Sequence, residues 1–148
     1  MLFRSGNLTI QGCIVVENNP QGTAATNTLT FAGNVSASGL ETLPVSATYP
    51  AGEVALKNAF LLAPNFTATF TGNFGTIGGS IIADKLAFSG NAGGTVNGSV
   101  IGLADQPLSL AGNSDIIISS TGTSQYPAGV FFGSQYVPLS DTYQEVVP

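Results

Sequence analysis

Four short stretches of the chain alternate strictly between apolar and small or polar residues. They are Leu29-Thr30-Phe31-Ala32, Ala68-Thr69-Phe70-Thr71, Leu86-Ala87-Phe88-Ser89 and Leu108-Ser109-Leu110-Ala111. A period of two means a strand with one buried face. Each stretch runs directly into Gly-Asn, at Gly33-Asn34, Gly72-Asn73, Gly90-Asn91 and Gly112-Asn113, and a further Gly-Asn stands at Gly6-Asn7. A second block recurs after three of these pairs: Ile10-Gln11-Gly12-Cys13-Ile14-Val15, Ile77-Gly78-Gly79-Ser80-Ile81-Ile82 and Val96-Asn97-Gly98-Ser99-Val100-Ile101. Leu56-Lys57-Asn58-Ala59-Phe60-Leu61 is a looser copy. A third corner follows, as Ala63-Pro64-Asn65, Ala83-Asp84-Lys85 and Ala104-Asp105-Gln106, before the alternating strand returns.

Strand, corner, short strand, glycine, strand and corner together make one coil of a solenoid. The repeat is 18 residues from Gly72 to Gly90 and 22 from Gly90 to Gly112. The predicted fold is all-β: a right-handed parallel β-helix of about 18–22 residues per coil, with loop excursions. Helix is disfavoured because glycine and β-branched residues fill the repeats and no 3.6-residue period is present. One coil alone cannot bury its apolar face, but coils stacked about 4.8 Å apart bury columns of like side chains. Phe31, Phe70, Phe88 and Leu110 are expected to form one column, and Ile14, Phe60, Ile81 and Val100 another.

The domain division expected from this pattern is a solenoid over 1–119 with loops at 17–28 and 36–54. The tail, 120–148, is expected to cap or strap the last coils, since exposed strand edges template aggregation. The start of the chain has no comparable cap, which points to further residues upstream.

The glycine of each Gly-Asn is expected to take positive φ at the corner, and the asparagine to tolerate left-handed geometry or bond its stacked equivalent. Asn7, Asn34, Asn73, Asn91 and Asn113 are therefore read as a structural corner ladder, not a ligand site. Cys13 falls where the other copies have Ser80, Ser99 and Ala59, so it reads as a small structural residue. A lone cysteine also excludes an internal disulfide and a thiolate metal cluster.

Composition narrows function further. Charged residues are 7% of the chain, against roughly 25% in ordinary soluble domains. With a net charge of −5 and only Arg4, Lys57 and Lys85 as cations, no phosphate-binding surface can be assembled, which excludes nucleic acid as a partner. No apolar run reaches the roughly 18 residues a membrane helix needs, so no membrane span is expected. The chain has no histidine, which removes histidine-based triads and histidine metal sites. A carbohydrate-cleaving β-helix would need clustered carboxylates. Asp84 and Asp105 are the sole site-like pair: they fall at the same corner of successive coils, with Asn65 on the adjacent one. They form a weak cation candidate. No catalytic residue, resident metal or cofactor is expected.

The tandem pattern over residues 66 to 118, and the ending from Asp141 to Val146 with its Tyr143-Gln144-Glu145-Val146, resemble the C-terminal β-solenoid domain of bacterial pilus-assembly proteins of the PilX type. That resemblance implies a right-handed parallel β-helix displayed outside the membrane and linked to pilus-like machinery, with a hydrophobic helix ahead of the domain. The chain also resembles bactofilins, cytoskeletal solenoids that form polymers, although those are richer in Lys and Glu and lack long loops. Ice-binding solenoids share the Thr- and Gly-rich composition but need a regular threonine face, and Thr67, Thr69 and Thr71 lack counterparts in every coil. The function expected is a non-enzymatic extracellular or surface structural or adhesive module. A bactofilin-like polymer is the second reading and a carbohydrate-binding or carbohydrate-cleaving β-helix the third. Its expected partners are other pilus or surface proteins, with self-association through the solenoid ends.

Overall fold

The computed structural model describes residues 2–17, 21–43, 56–105 and 107–119. The tail predicted to cap the solenoid, 120–148, and most of the excursion toward residue 54 lie outside the described residues. Apart from short 3-10 structure such as Leu40–Thr42, the described elements are strands. In chain order they are β1 (Leu2–Gln11), β2 (Ile14–Val15), β3 (Thr28–Ser38), β4 (Ala59–Phe70), β5 (Phe74–Gly78), β6 (Ser80–Phe88), β7 (Gly93–Asn97), β8 (Val100–Gly102), β9 (Leu108–Leu110) and β10 (Asp115–Ser119). All the pairings among them are parallel and join them into one sheet.

The pairings resolve into three ladders, because the long strands each serve two. The first ladder joins the start of β1, the start of β3, the ends of β4 and β6, and β9. The second joins the end of β1, the end of β3, β5, β7 and β10. The third joins β2, the starts of β4 and β6, and β8. Parallel neighbours need a long connection between them, and here the chain supplies it by visiting the other two ladders. Phe70 pairs with Phe88, 18 residues on, and Phe88 with Leu110, 22 residues on.

Register puts like side chains in line. Phe31 pairs with Phe70, Phe70 with Phe88 and Phe88 with Leu110, and the first three are each 1% exposed. Leu29, Ala68 and Leu86 form a parallel row beside them, equally buried. In the second ladder Ala37, Ile77 and Val96 align and are buried. Each large side chain so buried contributes roughly 1.5–3 kcal/mol, and together these rows form one continuous core.

Two expectations need correction. The column of the third ladder is Ile14, Leu61, Ile81 and Val100, not one containing Phe60. A bulge lies between Ala59 and Leu61, where β4 carries one more residue than β6. The extra residue, Phe60, is fully buried and its ring packs 5.9 Å from that of Phe31. The loops are also shorter at their described ends than 17–28 and 36–54. Thr28 and Ser36–Ser38 belong to β3, because Val35 and Ala37 are buried between β1 and β5. Gly6-Asn7 lies within β1, whose Leu2, Phe3 and Arg4 align with Thr30, Phe31 and Ala32.

Candidate functional site

The Gly-Asn corners are built mainly from main chain. Gly33, Gly90 and Gly112 have φ of 100°, 70° and 73°, whereas Gly6 and Gly72, expected to do the same, do not take positive φ. Successive glycines lie almost in contact: a Cβ on Gly72 would sit 2.5 Å from the Gly33 carbonyl oxygen. Main-chain bonds run across the rungs, from Val35 N–H to Asn73 O at 3.2 Å and from Asn113 N–H to Gly90 O at 2.8 Å. Between side chains, Asn34 Nδ2 donates to Asn7 Oδ1 at 3.1 Å. Asn73, Asn91 and Asn113 are exposed. The left-handed asparagines are elsewhere: Asn58 at φ 62° and Asn65 at φ 63°. Asn58 occupies the corner that Gly79 takes on the next rung, where Ser80 N–H donates to Asn58 O. Asparagine is the side chain best able to replace glycine there.

The acidic corner has a structural occupation. Asp84 Oδ1 accepts the Asn65 N–H at 2.9 Å. That bond sits where β4 takes a wider path than β6, between Ala63 and Thr67. Asn65 in turn ties down the segment before β3, as Asn65 Nδ2 donates to Gly22 O at 2.9 Å and Asn27 Nδ2 donates to Asn65 O at 3.1 Å. The Thr67 hydroxyl donates to Ala24 O at 2.6 Å, and Thr67 N–H to Asn27 O at 2.9 Å. Asp105 is exposed on the following corner. Among the described residues no group of three His, Cys, Asp or Glu side chains converges as a metal site would require.

Cys13 is half-buried, and burial pushes its thiol up to about 11. Desolvation penalises the thiolate, so the residue is a poor nucleophile at neutral pH.

The outer surfaces of the three ladders differ. Along the first, Thr30, Thr69, Ala87 and Ser109 align. The flanking row Thr28–Thr67 ends on Lys85, so threonines do not continue across this face. Along the second, Thr9 aligns with Ser36, and Thr76 with Thr95 and Ile117. The third is apolar on the outside as well: Val15, Leu62, Ile82 and Ile101 align, alternating with the inward Ile14, Leu61, Ile81 and Val100. Ile82 is only 4% exposed, whereas Val15 is 58% exposed. The sequence signal for this strip is the repeated aliphatic doublet, since a parallel strand covered on both faces reads as a continuous apolar run.

No helix among the described residues is long and apolar enough to cross a membrane. Comparison with family models, curated proteins and solved structures yields no match to this chain.

Proposed function

We propose that this chain is a non-enzymatic structural or adhesive module of a bacterial surface, associated with pilus-like assembly and built as a right-handed parallel β-helix of about 18–22 residues per coil. The observation that carries the reading is the use made of its polar groups. The best-placed carboxylate, Asp84, is spent on a main-chain N–H of the neighbouring strand, and the corner around it on holding a loop. The chain lacks histidine and has eight acids in 148 residues, which leaves little with which to assemble acid–base chemistry. Hydroxyl and amide side chains hydrate the outer faces of two ladders, as suits a display scaffold whose loops and surface make the contacts.

Brief protease treatment of intact cells of the producing bacterium tests the surface assignment. Peptides of this chain are expected in the supernatant without lysis, and their confinement to the cytosol overturns it. Enzymatic function is tested separately. Cleavage of a polysaccharide by the purified chain that disappears in both Asp84→Asn and Asp105→Asn would replace the structural reading with a catalytic one.

A further inference from the structure

The last strands of the fold end in a face that repeats the core pattern without covering it. Leu108 follows Leu86, Leu110 follows Phe88 and Ile118 follows Val96 in register. The earlier members are 0–1% exposed, whereas Leu108, Leu110 and Ile118 are 50%, 58% and 54% exposed in the isolated chain. Each last strand is paired on one side among the described residues: β8 and β9 with β6, and β10 with β7. At the opposite end β1 pairs with β3 and β2 with β4. Among the described residues the first and second ladders hold five strands each and the third four, so the last layer is β9 and β10, and all pairings run parallel.

We propose that the edge formed by β9 and β10 docks the β1 edge of a second copy of this chain, so that copies assemble end to end. A second copy is the occupant because its β1, which serves the first and second ladders in one strand, extends both in the same direction and register. Its Ile10, already aligned with Ala37 in its own chain, takes the next position after Ile118. Its Phe3, aligned by main chain with Phe31, falls next to Leu110. N–H and C=O groups on both edges that have no strand partner among the described residues gain one in the same step. The interface is heterologous, joining two different edges, and it leaves a fresh copy of each edge exposed for further growth. The inference rests on the stacked-coil reading of the fold and not on where the protein resides.

The test is sedimentation velocity of the full chain over a wide concentration range, with electron microscopy of the largest species. Mass that climbs past two copies with concentration is the expected result. Leu110→Lys combined with Ile118→Lys should give monomers with an unchanged β-type circular dichroism spectrum. Added at about one part in ten, this variant should shorten wild-type assemblies several-fold, since its β1 edge still caps a growing end. Leu110→Ser alone serves if the double variant misfolds, and should lower the mean mass at fixed concentration. Three results overturn the proposal. One is a monomer at every concentration, with the edge left to residues 120–148 or another partner. Another is growth that stops at two copies, and the third is assembly indifferent to Leu110 and Ile118. None of them bears on the surface-shaving test.

Discussion

The rings of Phe70 and Phe88 lie 5.0 Å apart, with an angle of 11° between their planes. Phe31 and Phe70 repeat the arrangement at 4.8 Å and 11°. These distances match the spacing of neighbouring strands, so parallel pairing in register imposes the stack. Phe74 closes its side, with ring centroids 5.8 Å from Phe70 and 6.0 Å from Phe88. Truncation of Phe88 removes contacts on both flanks and leaves a cavity between rungs that the backbone ladder prevents from collapsing. Phe88→Ala is expected to lower unfolding stability by about 3–5 kcal/mol in urea titration. A loss below about 1 kcal/mol would mean that this strand does not face the core.

The corners make a prediction of opposite kind for two glycines. Gly79 has φ of 109°, and a Cβ there would lie 2.8 Å from the Ala59 carbonyl carbon and 2.9 Å from the Phe60 nitrogen. Gly6 has nothing within 4 Å of an added Cβ. Gly79→Ala should therefore cost about 1–3 kcal/mol through backbone strain and crowding. Gly6→Ala should shift stability by less than about 0.5 kcal/mol. Thermal unfolding of the two variants side by side decides the matter, and equal effects would refute the stacked corner.

Much of this all-β, parallel-stranded architecture was legible in the sequence because the chain repeats its local chemistry. The alternation around Phe31, Phe70 and Phe88 and the glycines at 33, 90 and 112 each appear several times, so one copy checks another. What was hidden is where the copies differ in length. The bulge that replaces Phe60 by Leu61 in the column is one added residue, and strand propensity says nothing about which neighbour absorbs it. The left-handed Asn58 and Asn65 were similarly obscured, because asparagine serves a corner in several ways. Asp84 and Asp105 looked alike by repeat position. Their difference arises from Asn65, whose N–H reaches Asp84 only because β4 widens at that corner.

Cys13 gives a prediction in pH. Its folded-state pKa is about 11 against an ordinary value of 9.0. Because the folded value is the higher one, the stability linked to the neutral thiol is fully present below pH 9 and lost as pH rises through 11. The same shift leaves on the order of a hundredfold less thiolate at pH 8 than in the unfolded chain. Alkylation by iodoacetamide at pH 8 should thus be slow, and should accelerate by more than about tenfold in urea. Equal rates in the two conditions would show that the thiol is not desolvated.

The outer strip of the third ladder yields the sharpest comparison, because Val15 and Ile82 share one register row yet differ in burial. Alternation places both on the side away from Ile14 and Ile81, and an outward residue of a surface ladder ordinarily keeps much of its area in water. Val15 does, at 58% exposed, and Ile82 does not, at 4%. Replacing either by threonine keeps a β-branched shape and strand preference and changes the polarity at that point. At Val15 the hydroxyl stays hydrated, and the substitution should move stability by less than about 0.5 kcal/mol. At Ile82 the hydroxyl is removed from water, so Ile82→Thr should cost about 1–3 kcal/mol. Urea titrations of the two variants measure the difference directly. If Ile82→Thr proves as harmless as Val15→Thr, the third ladder is open to solvent on its outer side, and its repeated aliphatic doublets need another explanation.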